Sequence, residues 1–353
     1  MIVVTGGCGF IGSNYILSAL KNSNNKIINI DKLTYAGNHE NLISIEDNPN
    51  YTFIHGDIGD VNLISEVIKK YNPSKVINFA AESHVDRSID GPADFIQTNI
   101  VATFNLIECF RKYFDEMDKE SKDNFRFLHV STDEVYGSLG LDEDPFDEKH
   151  QFQPNSPYSA SKASSDHIVR SYFSTFNMPV LTTNCSNNYG PFQFPEKLIP
   201  LVISNALNGE DLPIYGDGNQ IRDWLYVDDH CNAINKVLNN GKIGETYNIG
   251  GWNEKTNLEV VNFICLALDA LKPKVNGKSY LEQIIYVKDR PGHDRRYAIN
   301  AEKISRELGW KPAETFESGM LKTINWYLSN NQWIENIKSG SYKEWINKQY
   351  GND

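Results

Sequence analysis

Short apolar runs alternate along this chain with segments whose apolar residues recur every three or four positions. A run of four to eight β-branched and aliphatic residues bounded by turn residues predicts a buried strand, and the three-to-four spacing predicts a helix with one face on a core. Ile2 to Thr5 is the first run; it leads into Gly6-Gly7-Cys8-Gly9-Phe10-Ile11-Gly12 and then the helical spacing of Ile16, Leu17 and Leu20. Further strands are predicted over Lys26 to Ile30, ending at Asp31, over Tyr51 to Ile54 before Gly56-Asp57, and over Val76 to Phe79 before Ala80-Ala81-Glu82. Phe125 to Val130 and Val180 to Thr183 complete the set, with helices predicted over Val61 to Tyr71, Ala93 to Phe114 and Pro157 to Phe176. Strands that alternate with helices pair in parallel and bury both sheet faces, so an α/β doubly wound sheet is expected.

After about Cys185 the pattern changes. Asn187-Asn188-Tyr189-Gly190-Pro191, Phe194-Pro195-Glu196-Lys197 and Gly216-Asp217-Gly218 interrupt it with turn residues. Helical spacing returns at Leu198 to Leu207, Val227 to Leu238, Leu258 to Leu271 and Ser318 to Leu328, with strand candidates at Thr246 to Ile249 and Ile284 to Val287. The expected organisation is a domain over 1–185 and a smaller mixed lobe over 186–353, some of whose segments return to the first domain.

Composition narrows the function. With 353 residues and 40% hydrophobic content, the chain can bury one large core or two lobes. The net charge of -12 opposes a nucleic-acid surface, since the overall field repels phosphate backbones. No basic residue precedes the short apolar run at the N-terminus and no segment is apolar for long enough to span a bilayer, so a cytoplasmic protein without a membrane partner is expected. The five cysteines are scattered without a C-x-x-C pair, and the eight histidines form no H-E-x-x-H set, so no metal is expected.

Gly6, Gly9 and Gly12 have the spacing G-x-x-G-x-x-G between a predicted strand and a predicted helix. Such glycines permit a tight turn, admit a pyrophosphate to the backbone and let the helix pack close to the strand, so Phe10 and Ile11 would also meet the cofactor. An ordinary strand-to-helix turn would use glycine too. The acidic residue about 20 positions on is what favours a dinucleotide: Asp31, at the end of the next strand, can accept from a ribose 2′-hydroxyl and would repel a 2′-phosphate, which selects NAD over NADP. Asp57 and Ile58, at the third strand end, are candidates for the adenine, with a surface turn the alternative. Ala80 and Ala81 end the fourth strand and complete a Rossmann-like cofactor site.

Two further motifs carry chemistry. Tyr158 and Lys162 open a predicted helix at i, i+4, which sets phenol and ammonium on one face, and Pro157 suits the first turn. A phenol near pKa 10 must fall by about three units, or about 4 kcal/mol, to act as a base near neutrality. One cation about 4 Å away supplies roughly that much at an effective dielectric near 20. A solvent-facing tyrosine and lysine are the alternative. The other motif is Val130-Ser131-Thr132-Asp133-Glu134-Val135-Tyr136-Gly137, with two adjacent carboxylates at the end of the fifth run. Ser131-x-x-Glu134 also fits a helix capping box. Because successive side chains in a strand point to opposite faces, Asp133 and Glu134 can act together only if they lie beyond it.

The glycine loop, the Tyr-x-x-x-Lys helix and the hydroxyl residue at the fifth strand end resemble the extended short-chain dehydrogenase/reductase family, whose members use NAD(P) on the hydroxyls of nucleotide sugars. Ser131 to Gly137, Ala80-Ala81-Glu82-Ser83-His84-Val85-Asp86-Arg87-Ser88, Asn184 to Pro191, Arg222-Asp223-Trp224 and Asp289 to Tyr297 resemble its 4,6-dehydratase branch in particular, over nearly the whole chain. Cys8 departs slightly from the small residue common in that loop. The resemblance implies an NAD-dependent lyase in which Tyr158, Thr132 and Lys162 serve oxidation at carbon 4 of a glucose, Glu134 takes the proton of carbon 5 and Asp133 protonates the departing hydroxyl of carbon 6. That division requires Asp133 to be protonated near neutrality, with Glu134 beside it raising its pKa. The implied substrate is a nucleoside-diphosphate glucose, dTDP first and UDP or CDP as alternatives. Its nucleotide end would be held by Lys197, Arg222, Arg290 and His293, with Asn187, Asn257, Ser83, Leu198, Pro213, Tyr215 and Tyr350 also in contact. A homodimer is implied, pairing the Ala93 to Phe114 and Pro157 to Phe176 helices. A 4-epimerase has no use for Asp133 and Glu134, and a catalytically silent NAD-binding regulator none for Thr132, Tyr158 and Lys162 together.

Overall fold

The computed structural model describes residues 1–289 and 293–338. The six strands expected in the first half form β1 (Ile2–Thr5), β2 (Ile27–Asp31), β3 (Tyr51–His55), β4 (Lys75–Asn78), β5 (Arg126–Thr132) and β6 (Val180–Cys185). The second half adds β7 (Asn187–Tyr189), β8 (Leu212–Tyr215), β9 (Ile221–Tyr226), β10 (Thr246–Ile249), β11 (Glu254–Thr256), β12 (Ile284–Val287) and β13 (Arg296–Tyr297). A seven-stranded parallel sheet has the order β10-β6-β5-β4-β1-β2-β3. Along β1, Ile2 and Val4 pack on the side of Ile16, Ile234 and Val237, whereas Val3 packs on the other side with Ile64, Leu106 and Phe110. Helices therefore cover both faces, as the near-continuous apolar strands require.

From β1 the chain winds outward through β2 and β3, then returns to start β4 on the other side of β1 and winds outward again through β5 and β6. At such a switch point the loops after neighbouring strands part, and their carboxyl ends leave a crevice. Thr5 is level with Asn78, Asn78 with His129, and Thr132 with Cys185, so the loops after β1, β4, β5 and β6 open onto one edge.

Three elements differ from the sequence expectation. β10 pairs with β6 and becomes the edge of the large sheet, so it is one of the segments that return; pairing partners leave no trace in a hydropathy pattern. The single helix expected over Ala93 to Phe114 is divided into helix Pro92–Phe95, a π-helical turn Ile96–Ala102 and helix Thr103–Glu116, and a separate helix Val85–Asp90 precedes it. The π turn carries the buried Asn99, whose amide nitrogen donates to Ser161 Oγ at 2.8 Å and to the Glu82 carbonyl at 2.9 Å. β5 runs two residues past the expected end, because Ser131 and Thr132 pair with Asn184 and Cys185 of β6.

The smaller lobe centres on β9, which pairs with β7, β11 and β13, while β8 pairs with β12. Ile199, Val202, Val260, Ile264, Leu268, Met320 and Ile324 form its core with Tyr327. β9 was hidden in the sequence by Arg222 and Asp223, two charged residues that are nonetheless buried.

Candidate active site

The crevice at the switch point is a cleft of about 300 Å³. On its cofactor side, Gly6 has φ +70, and a Cβ there would lie 2.6 Å from the Ala80 nitrogen and 2.7 Å from its Cα. A Cβ on Gly12 would lie 2.4 Å from the Gly6 carbonyl oxygen. Both contacts are with backbone, so only glycine lets the helix Phe10–Asn22 begin this close to β1 and β4. Asp31 is buried; its Oδ2 accepts from the Cys8 N–H and its Oδ1 from the Leu33 N–H, each at 2.8 Å. Burial raises its pKa while those two donors pull it down. The carboxylate thus holds the glycine loop in shape and keeps lone pairs for a sugar hydroxyl. This cradle, with a turn that a Cβ at Gly6 or Gly12 would fill and an acid at the end of β2, fits NAD.

Asp57 and Ile58, the adenine candidates, both line the cleft. The Asp57 carboxylate pairs with Lys32 at 2.8 Å and accepts from the Gly59 N–H at 2.8 Å, so the surface-turn alternative describes its bonding.

On the reacting side, Asp133 and Glu134 follow β5 in the short 3₁₀ turn Asp133–Tyr136. The proposed capping box does not form. Ser131 lies within β5 with its hydroxyl buried and without a hydrogen-bond partner, and Thr132 is the cap instead, its Oγ1 accepting from the Glu134 N–H at 3.2 Å. The Thr132 hydroxyl donates to Asp133 Oδ1 at 3.3 Å, and Asp133 Oδ2 is buried without a partner. Burial, then the neighbouring negative charges of Glu134 and Asp223, hold the Asp133 carboxyl well above the usual range, against Arg222 and the Thr132 hydroxyl. Glu134 is only half-buried.

Helix Pro157–Phe176 has proline in its first turn and a reciprocal cap between Ser156 and Ser159, which sets its start and so directs Tyr158 and Lys162 into the cleft. Lys162 Nζ donates to the Val130 carbonyl of β5 at 2.8 Å. Burial, then the Glu134 charge, push the Tyr158 phenol well above its ordinary value, with the Thr132 hydroxyl opposing. Burial likewise lowers the Lys162 ammonium, with Asp166 opposing.

Thr132, Asp133, Glu134, Tyr158 and Lys162 line this one cleft together with Gly6, Gly9, Phe10, Ile11, Gly12, Asp31, Asp57, Ile58, Ala80 and Ala81, and with Ser83, Asn187 and Lys197 among the substrate candidates. The remaining candidates stand elsewhere. Leu198 opens helix Leu198–Asn208 next to Lys197. Pro213 and Tyr215 are on β8, Asn257 starts helix Asn257–Leu271, and His293 Nδ1 is 2.6 Å from Asp289 Oδ1 with its ring edge-on to Tyr215. Arg222, expected as a phosphate ligand, is buried on β9, where it donates to the Ile221 and Asp294 carbonyls at 2.7 and 3.0 Å and lies 4.3 Å over the Tyr297 ring. Arg290 and Tyr350 lie outside the described residues. Sequence reasoning passed over Glu82, Thr98, Cys185, Ser186 and Glu196, which also line the cleft. Cys185 and Ser186 could have been found, since Cys185 ends the strand paired with the Thr132 end of β5 and Ser186 follows it; nothing local marks Glu196, which is buried and accepts from Arg87 at 3.2 Å. Among the described residues, no three His, Cys, Asp or Glu side chains converge as a metal ion would require.

A family model described as GDP-mannose 4,6 dehydratase matches residues 3–323. The dTDP-glucose 4,6-dehydratase of Salmonella typhimurium is 58% identical over 357 aligned positions that cover 99% of this chain and 98% of the relative. The chain belongs to the dTDP-glucose 4,6-dehydratase family. The Bacillus anthracis member of that family, solved in complex with NAD, is 49% identical and superimposes with a TM-score of 0.84 over 96% of this chain and 99% of that one. The Streptomyces venezuelae member, solved with NAD bound, is 42% identical with a TM-score of 0.87, over 96% and 99%.

Proposed function

We propose that the chain converts dTDP-glucose to dTDP-4-keto-6-deoxyglucose with NAD as a bound catalyst. The observation that carries this reading is the pair of adjacent carboxyls in unlike surroundings: Asp133 buried, its carboxyl held well above the usual range, and Glu134 half-buried beside it, both lining one cleft with Thr132, Tyr158 and Lys162. A simple oxidoreductase or an epimerase needs only the last three.

Loss of water across carbons 5 and 6 requires an acidic hydrogen at carbon 5, which a ketone at carbon 4 provides. NAD, held by the glycine loop and Asp31, would supply the hydride acceptor for carbon 4 and the hydride donor for carbon 6. Tyr158 takes the 4-hydroxyl proton at its phenolic oxygen, helped by the Lys162 charge one turn along the helix, and Thr132 Oγ1 hydrogen-bonds the same sugar oxygen. Glu134 removes the proton of carbon 5. Asp133, protonated at neutral pH, delivers its proton to the departing 6-hydroxyl, and Glu134 then returns a proton to carbon 5. Gly6, Gly9 and Gly12 admit the cofactor phosphates, Asp31 orients a ribose, and Lys197 with Asn187 and Ser83 meets the nucleotide sugar.

In this reading residues 1–185 carry NAD and residues 186–353 the nucleotide sugar, in a cytoplasmic enzyme. Among the described residues no helix is long and apolar enough to cross a membrane. A homodimer is part of the proposal: Ile96, Phe104 and Phe176 are 46%, 45% and 42% exposed on the helices expected to pair, large apolar groups of the kind a second copy would cover.

Incubation with dTDP-, UDP- and CDP-glucose in heavy water tests the reaction. Solvent deuterium is expected at carbon 5 of a 4-keto-6-deoxy product, formed fastest from dTDP-glucose, with carbon 6 receiving the original carbon 4 hydrogen. A 4-epimer without deuterium would overturn the reading.

A further inference from the structure

Behind Tyr158 and Lys162 the same helix face carries a third ionisable residue at the next i+4 position, Asp166. It is buried and faces the sheet rather than the cleft. Its Oδ2 accepts from Asn184 Nδ2 at 3.1 Å, and the same amide nitrogen donates to the Thr132 carbonyl at 3.0 Å. Its Oδ1 is 3.3 Å from His129 Nε2.

The tautomer of His129 follows from its neighbours. Ser165 Oγ spends its hydrogen on the Lys162 carbonyl at 2.8 Å, so it accepts from His129 Nε2 at 3.2 Å, and Nε2 carries the proton. Asn78 has its Oδ1 occupied by the Thr5 hydroxyl at 2.6 Å, which turns its Nδ2 toward His129 Nδ1 at 3.2 Å, so Nδ1 accepts. The imidazole is therefore neutral. Burial and the Lys162 charge both disfavour its cation. The other ionisable groups near Asp166 and Lys162 are the Tyr136 phenol from the 3₁₀ turn and the Cys185 thiol from β6, each pushed up by burial and so uncharged. Among the described residues, Lys162, one helical turn before Asp166, is the cation whose ammonium form the Asp166 charge favours.

We propose that Asp166 is a positioning residue for the reaction: it is the buried counter-ion of the Lys162 ammonium, and through Asn184 it fixes the Thr132 end of β5. The network runs from Thr5, ahead of the glycine loop, through Asn78, His129 and Asp166 to Thr132, so it ties the cofactor loop to the reacting hydroxyl across β1, β4, β5 and β6. The proposal rests on the dehydratase reading above, in which Lys162 must be charged for Tyr158 to act.

Asp166→Asn removes the charge while an amide oxygen can still accept from Asn184. The expected result is an alkaline limb of kcat moved to lower pH by at least about one unit, a tenfold change in the proton equilibrium. KM for dTDP-glucose should stay within about threefold, because this group does not line the cleft. Asn184→Ser, which breaks the link to Thr132 and keeps the charge, should lower kcat at every pH and leave the limb in place. A ¹⁵N titration of the Lys162 Nζ reads the same shift without turnover, so a failure of the wild-type protein to dehydrate dTDP-glucose would sink the functional reading and leave this test standing. An Asp166→Asn protein whose pH profile and Lys162 titration superimpose on wild type overturns the proposal, even if its melting temperature falls. Should Asp166→Asn not fold, Asp166→Glu decides: lowered kcat with an unmoved limb supports the counter-ion role, and a moved limb or wild-type kcat overturns it.

Discussion

Replacing Glu134 by glutamine separates the two halves of the proposed reaction. The change is nearly isosteric, and the hydrogen bond that caps the 3₁₀ turn uses the Glu134 backbone N–H and Thr132 Oγ1, so the local fold is retained. Two functions are lost together. The variant has no base for the carbon 5 proton, a role worth roughly 10²- to 10⁴-fold. It also loses the negative charge that, after burial, does most to keep Asp133 protonated. Two carboxylates on neighbouring residues about 6 Å apart repel by about 3 kcal/mol at an effective dielectric near 20, equivalent to about two pKa units. Oxidation at carbon 4 depends on Tyr158, Lys162 and Thr132, none of which is altered; Tyr158 gains, because Glu134 is among the charges holding its phenol up. Stopped-flow absorbance of reduced NAD, combined with mass analysis of the sugar quenched from heavy water, follows both halves. The expected outcome is reduced cofactor that accumulates with dTDP-glucose while product formation falls by at least about 10²-fold and deuterium fails to enter carbon 5. Wild-type product formation would refute the assignment of Glu134, and absence of reduced cofactor would place Glu134 in the oxidation instead.

Gly12→Ala should purify with little bound NAD and a lowered melting temperature, because its Cβ would meet the Gly6 carbonyl at 2.4 Å; cofactor content by absorbance checks this. Asp133 has a folded pKa raised above its unfolded value of about 3.9, so its contribution to stability is fully present below that pH and is lost as pH rises through the folded value. Asp133→Asn should therefore melt higher than wild type at about pH 8 and progressively less so toward pH 4, by scanning fluorimetry, while losing dehydration. Phe104→Asp puts a charge on an exposed apolar position of helix Thr103–Glu116, and light scattering should show the proposed wild-type dimer reduced to a monomer.

Much of the cofactor half was legible because its requirements are local. A loop that turns directly from strand into helix demands glycine at fixed spacings, and the end of a strand is where an acid can reach a ribose, so Gly6, Gly9, Gly12 and Asp31 could be named from order and spacing. Tyr158 and Lys162 were legible for the same kind of reason, since an i, i+4 pair on a helix shares a face. Spacing could not supply the dielectric around them. Burial raises the Tyr158 phenol, and Lys32 just past the end of β2 pairs with Asp57 just past the end of β3, neither of which a spacing records.

The nucleotide end was the least legible, because it depends on which surfaces the second half of the chain turns toward the first. Arg222 has the charge for a phosphate, yet β9 buries it against Tyr297 and two carbonyls. β10 lies far along the chain but completes the first sheet, and no hydropathy pattern specifies a pairing partner.

By itself the sequence determined the strand-helix alternation, the glycine cradle and the presence of two adjacent carboxyls after a strand, since each follows from backbone geometry over a few residues. Only the tertiary structure decided that these carboxyls differ. Asp133 is enclosed near Asp223 and Arg222, about 90 positions on, and burial with the neighbouring charges holds its carboxyl well above the usual range, while Glu134 beside it stays half-buried.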